Sequence, residues 1–504
     1  MKRTVTVWTA FLMAVLVLAG CQPTPEQSVV VGKGDGQLEE KIAAQTDAAL
    51  PSDMPESGTR ITGTYTHGSL PITIKVDALV NTQDGKTMPA ARVTPHQFTQ
   101  AEVDAVYDCF VGDARFFSIL EGKKWDALMA INVRTCELLL AAAEASGEYT
   151  QEQLSRMQDN LNDARREYLA AQPASAFPAA GHTLSAENLT VSGGAVTGAV
   201  FGYFERDGMA YRLEVFNEAS GLDSTMALQR YSIYDLDESY GELPGVADAV
   251  YLEEGESLSE LSYGDALIQA QQAASAFGAR GMAVAHAEAV RYPKNTLTSY
   301  YTFIFTHEVN GVPCLYNTMG IANDEGYSDV WGYEQLIVKV DAYGVRAMRW
   351  IAPCDVTEQL ADSTAMIAFA DVMGCFSKMV FIKNSYLEGL LDASLAIAEH
   401  GAPYDNDAGG PVAPADGDRY EVDSVVVHVN RIDLGLMRVQ SGNEYLLIPV
   451  WDFYGCEELL TADGQDIHKL SWEQSDTGEY VPAETCLLTV NAIDGSIIDR
   501  EQGY

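Results

Sequence analysis

Histidine is the side chain most often used for acid–base catalysis and metal binding, and the chain has eight, at positions 67, 96, 182, 286, 307, 400, 428 and 468. No two are four residues apart, the spacing of the two zinc ligands on a metalloprotease helix. The sequence also lacks Gly-x-Ser-x-Gly, Ser-x-x-Lys and P-loop motifs. His307, followed by Glu308 at the end of an aromatic strand, is the best candidate for a catalytic base. The sequence nevertheless favours an ordinary surface or hairpin histidine at this position, so no catalytic residue is assigned; a triad assembled from distant segments stays open.

A second candidate site is a partial calcium loop that begins at Asp405. Asp405, Asp407 and Asp416 occupy positions one, three and twelve, and a glycine stands at position six. Position five is Gly409, where an oxygen ligand is expected, and an aspartate replaces the usual glutamate at position twelve. The loop therefore predicts a calcium site, with a disordered linker as the alternative and no other cofactor expected.

The amino terminus has the features of an export signal. Lys2 and Arg3 precede an apolar run from Val5 to Leu18, which is too short to span a membrane. The following Leu18-Ala19-Gly20-Cys21 resembles the bacterial lipobox, in which the cysteine sulfur is lipidated and becomes the first mature residue. This resemblance implies a lipid anchor on Cys21 and a location on the outer face of the cell membrane; an ordinary signal peptide with a chance cysteine is the alternative.

Seven cysteines remain beyond Cys21, at positions 109, 136, 314, 354, 375, 456 and 486. The number is odd and no Cys-x-x-Cys pair occurs, so at least one thiol is free in a monomer. This count suits a reducing or anaerobic habitat. Cys456 and Cys486 lie in neighbouring predicted strands and form the pair we would first test for a disulfide.

Helices are signalled by capping residues that precede amphipathic segments. Thr99-x-x-Glu102, Thr150-x-x-Gln153 and Ser262-x-x-Asp265 each open a predicted helix, and Ser385-x-x-Glu388 opens another that should end at His400-Gly401. A helix is also predicted from Trp125 to about Gly147, and another around Met366 to Val380. The periodic apolar residues of these segments predict faces that pack on a core.

Extended segments follow each helical group. Asp207-Gly208 predicts a tight hairpin between Phe201–Glu205 and Met209–Phe216, since the pair adopts positive φ readily. The other predicted strands are Met282–Tyr292, Ser299–Val309, Tyr333–Asp341, Val345–Ile351, Tyr420–Ile432, Tyr445–Phe453, Thr485–Ala492 and Ser496–Arg500. Helices followed by antiparallel strands thus recur about three times, which predicts an α+β fold of tandem lobes with helices on one face of each sheet.

Composition predicts the domain organisation and limits the partners. The 504 residues carry 72 acidic and 31 basic side chains, a net charge of −41, which disfavours nucleic acid and anionic lipid surfaces as partners. An acid-rich stretch from Tyr231 to Glu260 marks a boundary. The predicted divisions are a signal peptide (1–20), a flexible tether (21–60), an N-terminal lobe (61–255), a middle lobe (259–400), a linker loop (401–418) and a C-terminal β-rich lobe (419–504).

The last 80 residues contain a familiar pattern. Pro449-Val450-Trp451, in a predicted strand, is followed by the hairpin Asn491-Ala492-Ile493-Asp494-Gly495. These segments resemble the ends of PepSY-type domains and of the Yyc-type accessory proteins of a cell-wall sensor kinase. The lipobox and overall architecture also resemble large uncharacterised lipoproteins of Gram-positive anaerobes. The resemblance implies binding or regulation of an extracytoplasmic protein, and it assigns no functional residues.

Two functions remain open. The first is a non-catalytic module at the cell envelope that binds a protein or ligand, with a sensor kinase or a protease as a possible partner. The second is an envelope hydrolase that acts on peptide or glycan through paired carboxylates in an acidic cleft. An exposed sheet edge would favour the first, and a cleft with a catalytic cluster would favour the second.

Overall fold

The computed structural model describes residues 37–44, 48–83, 86–146, 149–185, 196–231, 250–252, 257–258, 260–291, 299–316, 332–391, 394–396, 404–405, 410–411, 419–467, 485–500 and 503. Several predicted features lie outside these residues. They are the signal peptide, Cys21, residues 21–36 and 45–47 of the tether, most of the acid-rich boundary, and Asp407 and Asp416 of the calcium loop.

Seven α-helices are described. They are α1 (Gln37–Ala43), α2 (Gln100–Val106), α3 (Asp126–Ser146), α4 (Gln151–Ala170), α5 (Tyr263–Ala276), α6 (Phe369–Lys383) and α7 (Tyr386–Leu390). A π-helical turn (Tyr107–Val111) continues α2, and a 3-10 turn (Ala174–Ala176) follows α4. Among these described helices, none has both the length and the apolar character needed to cross a membrane.

The described strands fall into two large sheets and two short pairs. In chain order they are β1 (Thr59–Thr66), β2 (Ile72–Asn81), β3 (Ala90–Pro95), β4 (Val196–Arg206), β5 (Met209–Glu218), β6 (Thr225–Arg230), β7 (Val250–Leu252), β8 (Met282–Arg291), β9 (Tyr300–Val309), β10 (Val312–Pro313), β11 (Gln335–Asp341), β12 (Gly344–Ile351), β13 (Cys354–Ala361), β14 (Ser394–Ala396), β15 (Tyr404–Asp405), β16 (Gly410–Pro411), β17 (Arg419–Glu421), β18 (Ser424–Ser441), β19 (Glu444–Leu460), β20 (Thr485–Asn491) and β21 (Ile497–Ile498). β14 pairs with β17, and β15 with β16.

The first sheet joins strands from both ends of the chain. Its order is β1-β2-β18-β19-β20-β21, and β19 also pairs with β3, which pairs with β13. The contact between β2 and β18 is parallel, with Ile74 opposite Val427. The prediction of purely antiparallel sheets is therefore wrong for this sheet, because a chain segment of several hundred residues connects the two strands and permits the parallel crossover.

The second sheet is antiparallel throughout its described strands and comes from one stretch of chain. Its order is β4-β5-β6-β12-β11-β9-β8-β7, and β10 pairs with β9. The predicted hairpin is confirmed: Asp207 and Gly208 have φ of 54° and 74°, and Arg206 lies opposite Met209. Most of these pairings join strands that are close in sequence, whereas β6 pairs with β12 across several intervening strands.

One helix covers the core of each sheet. Phe369, Val372 and Phe376 of α6 pack on the first sheet, in the same cluster as Trp451 and Phe453 of β19. The alanines at 266, 270, 273 and 274 of α5 pack on the aromatic strand β9 of the second sheet. The α+β prediction is confirmed at this level. The opposite face of β18 and β19 also carries an apolar cluster, which includes Ile42 of α1.

Capping residues begin three of the helices as the sequence predicted. The side chains of Thr99, Thr150 and Ser262 accept hydrogen bonds from backbone N–H groups in the first turns of α2, α4 and α5. The Ser385 side chain makes no such bond, and α7 ends at Leu390 rather than at His400. The prediction of a helix that continues to His400 is wrong, because Ser394–Ala396 are extended and pair with β17.

The two sheets do not follow the predicted lobe limits. Strands β1–β3 and β4–β6 both belong to the predicted N-terminal lobe, yet they enter different sheets. Likewise β13, predicted within the middle lobe, pairs with β3 in the first sheet. The chain passes from the second sheet to the first in the short turn between β12 and β13.

Candidate functional site

Three potential ligand side chains meet where the two sheets join. His307 lies in β9, Glu334 directly precedes β11, and Cys354 opens β13. The register of β11 on β9 sets Leu336 opposite Phe305, and continuing it by two residues sets Glu334 opposite His307. Ala352 has a positive φ of 50°, which turns the chain sharply out of β12 and into Cys354. We call these three residues the junction cluster.

The carboxylate of Glu334 is the centre of the junction cluster. Its Oε2 lies 3.1 Å from Nδ1 of His307 and accepts a hydrogen bond of 2.9 Å from Sγ of Cys354. Its Oε1 accepts hydrogen bonds from the indole Nε1 of Trp350 at 3.1 Å and from the backbone N–H of Cys354 at 3.2 Å. Four contacts therefore hold the carboxylate with one oxygen facing the ring and the thiol.

Burial and charge shift the pKa values of all three groups. Burial acts to lower the pKa of His307, but the hydrogen bond and the charge of Glu334 outweigh it and raise that pKa. Burial acts to raise the pKa of Glu334, but the contacts with His307 and Cys354 outweigh it and lower that pKa. Burial and the negative charge of Glu334 raise the pKa of the Cys354 thiol well above its usual value. These directions favour the charged forms of His307 and Glu334 and disfavour the thiolate of Cys354.

This arrangement is poorly suited to nucleophilic catalysis by the thiol. A catalytic cysteine needs a lowered pKa and a base that faces its sulfur. Here the carboxylate lies between the sulfur and the imidazole, and it stabilises the thiol rather than the thiolate. The ligand atoms of the three residues all lie within 4.8 Å of one another, and imidazole, carboxylate and thiolate are the donors that bind zinc-like ions.

The structure brings one sequence candidate, His307, into this cluster and leaves the others apart from it. The partner of His307 is Glu334 rather than its neighbour Glu308. Asp405 lies in β15, opposite Gly410, while Asp407 and Asp416 are outside the described residues, so the calcium site stays a prediction. Cys456 and Cys486 lie on adjacent strands as expected, but no disulfide joins them. Cys486 lies opposite Tyr454, which places the two cysteines out of register.

Sequence reasoning missed Glu334 and Cys354. Glu334 is one of 72 acids, and Cys354 begins a polar strand that no apolar pattern had marked. One signal could have identified both residues, since each lies within a few residues of a strand end. Glu334 directly precedes β11, and Cys354 follows β12 after two residues.

A second histidine nearby links strands of the first sheet to helix α2, which packs on the second sheet. His96, directly after β3, contacts Asp355 of β13 through Nδ1 at 2.8 Å and Glu102 of α2 through Nε2 at 3.2 Å. The hydrogen bond to Glu102 is the main cause that raises the pKa of His96 to about 9. Burial opposes the shift at Glu102, but the bonds from His96 and Thr99 lower the pKa of that carboxyl to about 2. We call these three residues the His96 clamp.

Comparisons with known proteins add little to this geometry. No protein-family model and no curated protein matches the sequence. Among solved structures, an uncharacterised protein from Eubacterium rectale aligns with 93% of this chain and 99% of its own, with 11% identical residues and a TM-score of 0.34.

Proposed function

We propose that the chain is a lipid-anchored, extracytoplasmic binding protein that captures an extended segment of another envelope protein at the free edge of β1. In this proposal Cys21 carries the lipid, the tether holds the body away from the membrane, and the C-terminal strands form a PepSY-like module. The observation that carries it is the exposed edge of the first sheet.

Strand β1 presents a long edge for pairing. It pairs with β2 on one side, and no described strand pairs with its other side. Every second residue, Arg60, Thr62, Thr64 and Thr66, is exposed, and none of the eight is buried. Such an edge can accept an added strand through backbone hydrogen bonds.

The backbone groups that would pair can be assigned from the register. The N–H of His67 donates to the carbonyl of Ile72 at 2.9 Å, which sets the odd-numbered residues of β1 opposite even-numbered residues of β2 in the hydrogen-bonded positions. Because these positions alternate along an antiparallel pair, Thr62 and Thr64 direct their backbone N–H and C=O groups away from β2.

Charge favours a particular partner. The whole chain carries a net charge of −41, whereas the one charged residue of β1, Arg60, is already hydrogen-bonded to Asp77 at 2.8 Å. An extended segment with lysine or arginine side chains would gain from the surrounding negative field as it pairs with the neutral edge.

Two further features support the envelope role. Lys2, Arg3 and the lipobox at Cys21 are typical of exported lipoproteins. In the C-terminal strands Val450 lies opposite Asn491, so the two segments that resemble PepSY-type domains are direct neighbours. We include this pairing among the features that support a PepSY-like module.

Anchorage is tested by mass spectrometry of the protein isolated from the cells that make it. The expected amino-terminal fragment begins at Cys21 and carries a diacylglyceryl group on its sulfur, and the protein is recovered with membranes. An unmodified Cys21, or an intact leader on protein from the cytosol, contradicts the anchor.

The edge is tested by site-specific photo-crosslinking in intact cells. A photoreactive residue at Thr62 should yield an adduct, whereas the same residue at Tyr343, an exposed turn of the second sheet, should not. Adding Thr64→Pro should abolish the adduct, because proline lacks the N–H that points away from β2 while the hydrogen bonds to β2 are kept. The control Thr64→Val keeps that N–H and should preserve the adduct. An adduct that survives Thr64→Pro rules out strand addition at β1.

A further inference from the structure

We propose that His307, Glu334 and Cys354 bind one zinc-class divalent cation, which crosslinks the two sheets. This inference goes beyond the proposed function, and it depends on neither the anchor nor the β1 edge. It rests on donor chemistry, geometry, charge balance and the position of the cluster in the fold.

The donor atoms already lie near the spacing that a metal requires. Bonds of roughly 2.0–2.3 Å at tetrahedral angles separate neighbouring ligand atoms by about 3.3–3.8 Å. The observed separations from Glu334 Oε2 are 3.1 Å to the imidazole nitrogen and 2.9 Å to the sulfur. Small side-chain movements therefore convert the hydrogen-bonded cluster into a coordination shell.

The carboxylate is held as metal ligands usually are. Trp350 and the backbone of Cys354 donate to Glu334 Oε1, which leaves Oε2 directed at the shared position. Such outer hydrogen bonds fix the orientation of a ligand and commonly influence metal affinity by about 10–100-fold. Trp350 is itself a core residue of the second sheet, so the support is rigid.

The ligand set matches the charge of the cation. A metal-bound imidazole is neutral, a metal-bound cysteine is a thiolate, and Glu334 supplies a carboxylate. One carboxylate and one thiolate therefore balance the two positive charges of the ion. The protons that His307 and Cys354 give up on coordination pass to solvent, and no electrons are transferred.

The groups around the cluster are compatible with this change. Asp355, the residue after Cys354, contacts His96 at 2.8 Å, and Arg438 is a buried base at the same junction. The Arg438 guanidinium also donates to the carbonyls of Ala352 and Gly332. Cys314 is a buried thiol whose backbone N–H donates to the carbonyl of His307 at 2.7 Å, so it adjoins the cluster.

The location of the cluster means that a bound ion would connect the two sheets. His307 and Glu334 belong to the second sheet, while Cys354 begins a strand of the first. A bound ion would join the sheets by coordinate bonds at the turn where the chain crosses between them.

The test uses the reduced, metal-free full-length chain titrated with Co²⁺ and then with Zn²⁺. We expect one equivalent of Co²⁺ to produce the charge-transfer absorption of a cobalt–thiolate bond, and one equivalent of Zn²⁺ to abolish it. Binding should release protons into weakly buffered solution, because the coordinating thiol must ionise. The temperature of unfolding should rise with Zn²⁺.

Matched variants identify the ligands. Cys354→Ser should abolish the charge-transfer band, and Glu334→Gln and His307→Gln should each weaken binding by at least about tenfold. Trp350→Phe should weaken it by about 10–100-fold through the lost hydrogen bond. Cys486→Ser, which removes a thiol of the first sheet outside the cluster, should leave the titration unchanged. Far-ultraviolet circular dichroism identifies any variant that fails to fold.

Three outcomes overturn the inference. They are a wild-type chain without the charge-transfer band, a band that persists in Cys354→Ser, and binding without any band, which would place the ion on surface carboxylates. Each leaves the anchor and the edge of β1 untouched, so failure here is distinguishable from failure of the proposed function.

Discussion

The two large sheets differ in how far apart in sequence their partner strands lie. The second sheet is assembled from residues 196–351, and all its described pairings are antiparallel. The first sheet pairs β2 near the amino terminus with β18 near the carboxyl terminus, and in parallel orientation. Local hairpins therefore dominate the second sheet, whereas long-range contacts define the first. Loop-closure entropy makes such long-range contacts harder to form and harder to foresee.

The largest expected loss of stability comes from truncating a buried aromatic ring in the core of one sheet. Phe453 of β19 and Phe376 of α6 are fully buried, with stacked rings whose centroids are 4.3 Å apart. Phe453→Ala should lower the free energy of unfolding by about 3–5 kcal/mol because it leaves a cavity in the first sheet. Hydrogen exchange should then accelerate at β2, β18 and β19.

Phe303→Ala is the matched change in the second sheet, since that ring is also fully buried. It should accelerate exchange at β9 and β11 and spare the first sheet. If either variant loosens both sheets equally, the sheets unfold as one unit and the contrast between them does not extend to stability.

An intermediate effect is expected at the His96 clamp, which joins the ends of first-sheet strands to a helix of the second-sheet core. The pKa of His96 is raised to about 9, so its stabilisation is complete below the unfolded value of about 6.5 and is lost as pH rises through 9. The pKa of Glu102 is lowered to about 2, so its contribution is present above about 4.5 and is lost as pH falls through 2.

The clamp should therefore contribute most between about pH 4.5 and 6.5, by roughly 3 kcal/mol for the coupled pair. Urea unfolding of His96→Gln at about pH 6 should show this loss relative to wild type, and the difference should shrink at about pH 10. His428→Gln, which removes a partly exposed histidine beside Glu458, is the control. An equal loss at both pH values would show that packing rather than charge is responsible.

The smallest expected loss of stability comes from replacing a turn glycine, and it should be similar in the two sheets. Gly208 turns the β4–β5 hairpin and Gly442 turns the β18–β19 hairpin, with φ of 74° and 64°. Replacing either with alanine should cost about 1–2 kcal/mol, because an L side chain disfavours this conformation, and asparagine should cost less. Thermal unfolding of the two alanine variants measures this. A much larger loss at Gly442 would indicate that the long hairpin nucleates the first sheet.

The sequence predicted local features well and long-range ones poorly. Thr99 and Thr150 marked helix starts because a cap acts within four residues, and Asp207-Gly208 marked a hairpin for the same reason. Strand β13 escaped notice because its exposed middle carries no apolar alternation. The β2–β18 pairing escaped because nothing in either strand encodes its partner.

The junction cluster shows the same contrast between local features, which the sequence predicts, and long-range contacts, which it does not. His307 could be singled out because histidines are few, but its partners lie 27 and 47 residues further along the chain. Only the register of β9 and β11 and the turn at Ala352 bring Glu334 and Cys354 to it. Residue types limit what a site can do, whereas topology decides which residues share it.

The parallel contact between β2 and β18 also imposes an order on biogenesis. A polypeptide emerges from its amino terminus, so β1 and β2 leave the ribosome long before β18 exists. The second sheet can close while synthesis continues, but β2 must wait with an unpaired edge until almost the entire polypeptide has been made. Any early stop before residue 424 consequently leaves the earliest strands without their neighbour, an orphaned hairpin exposed to proteases.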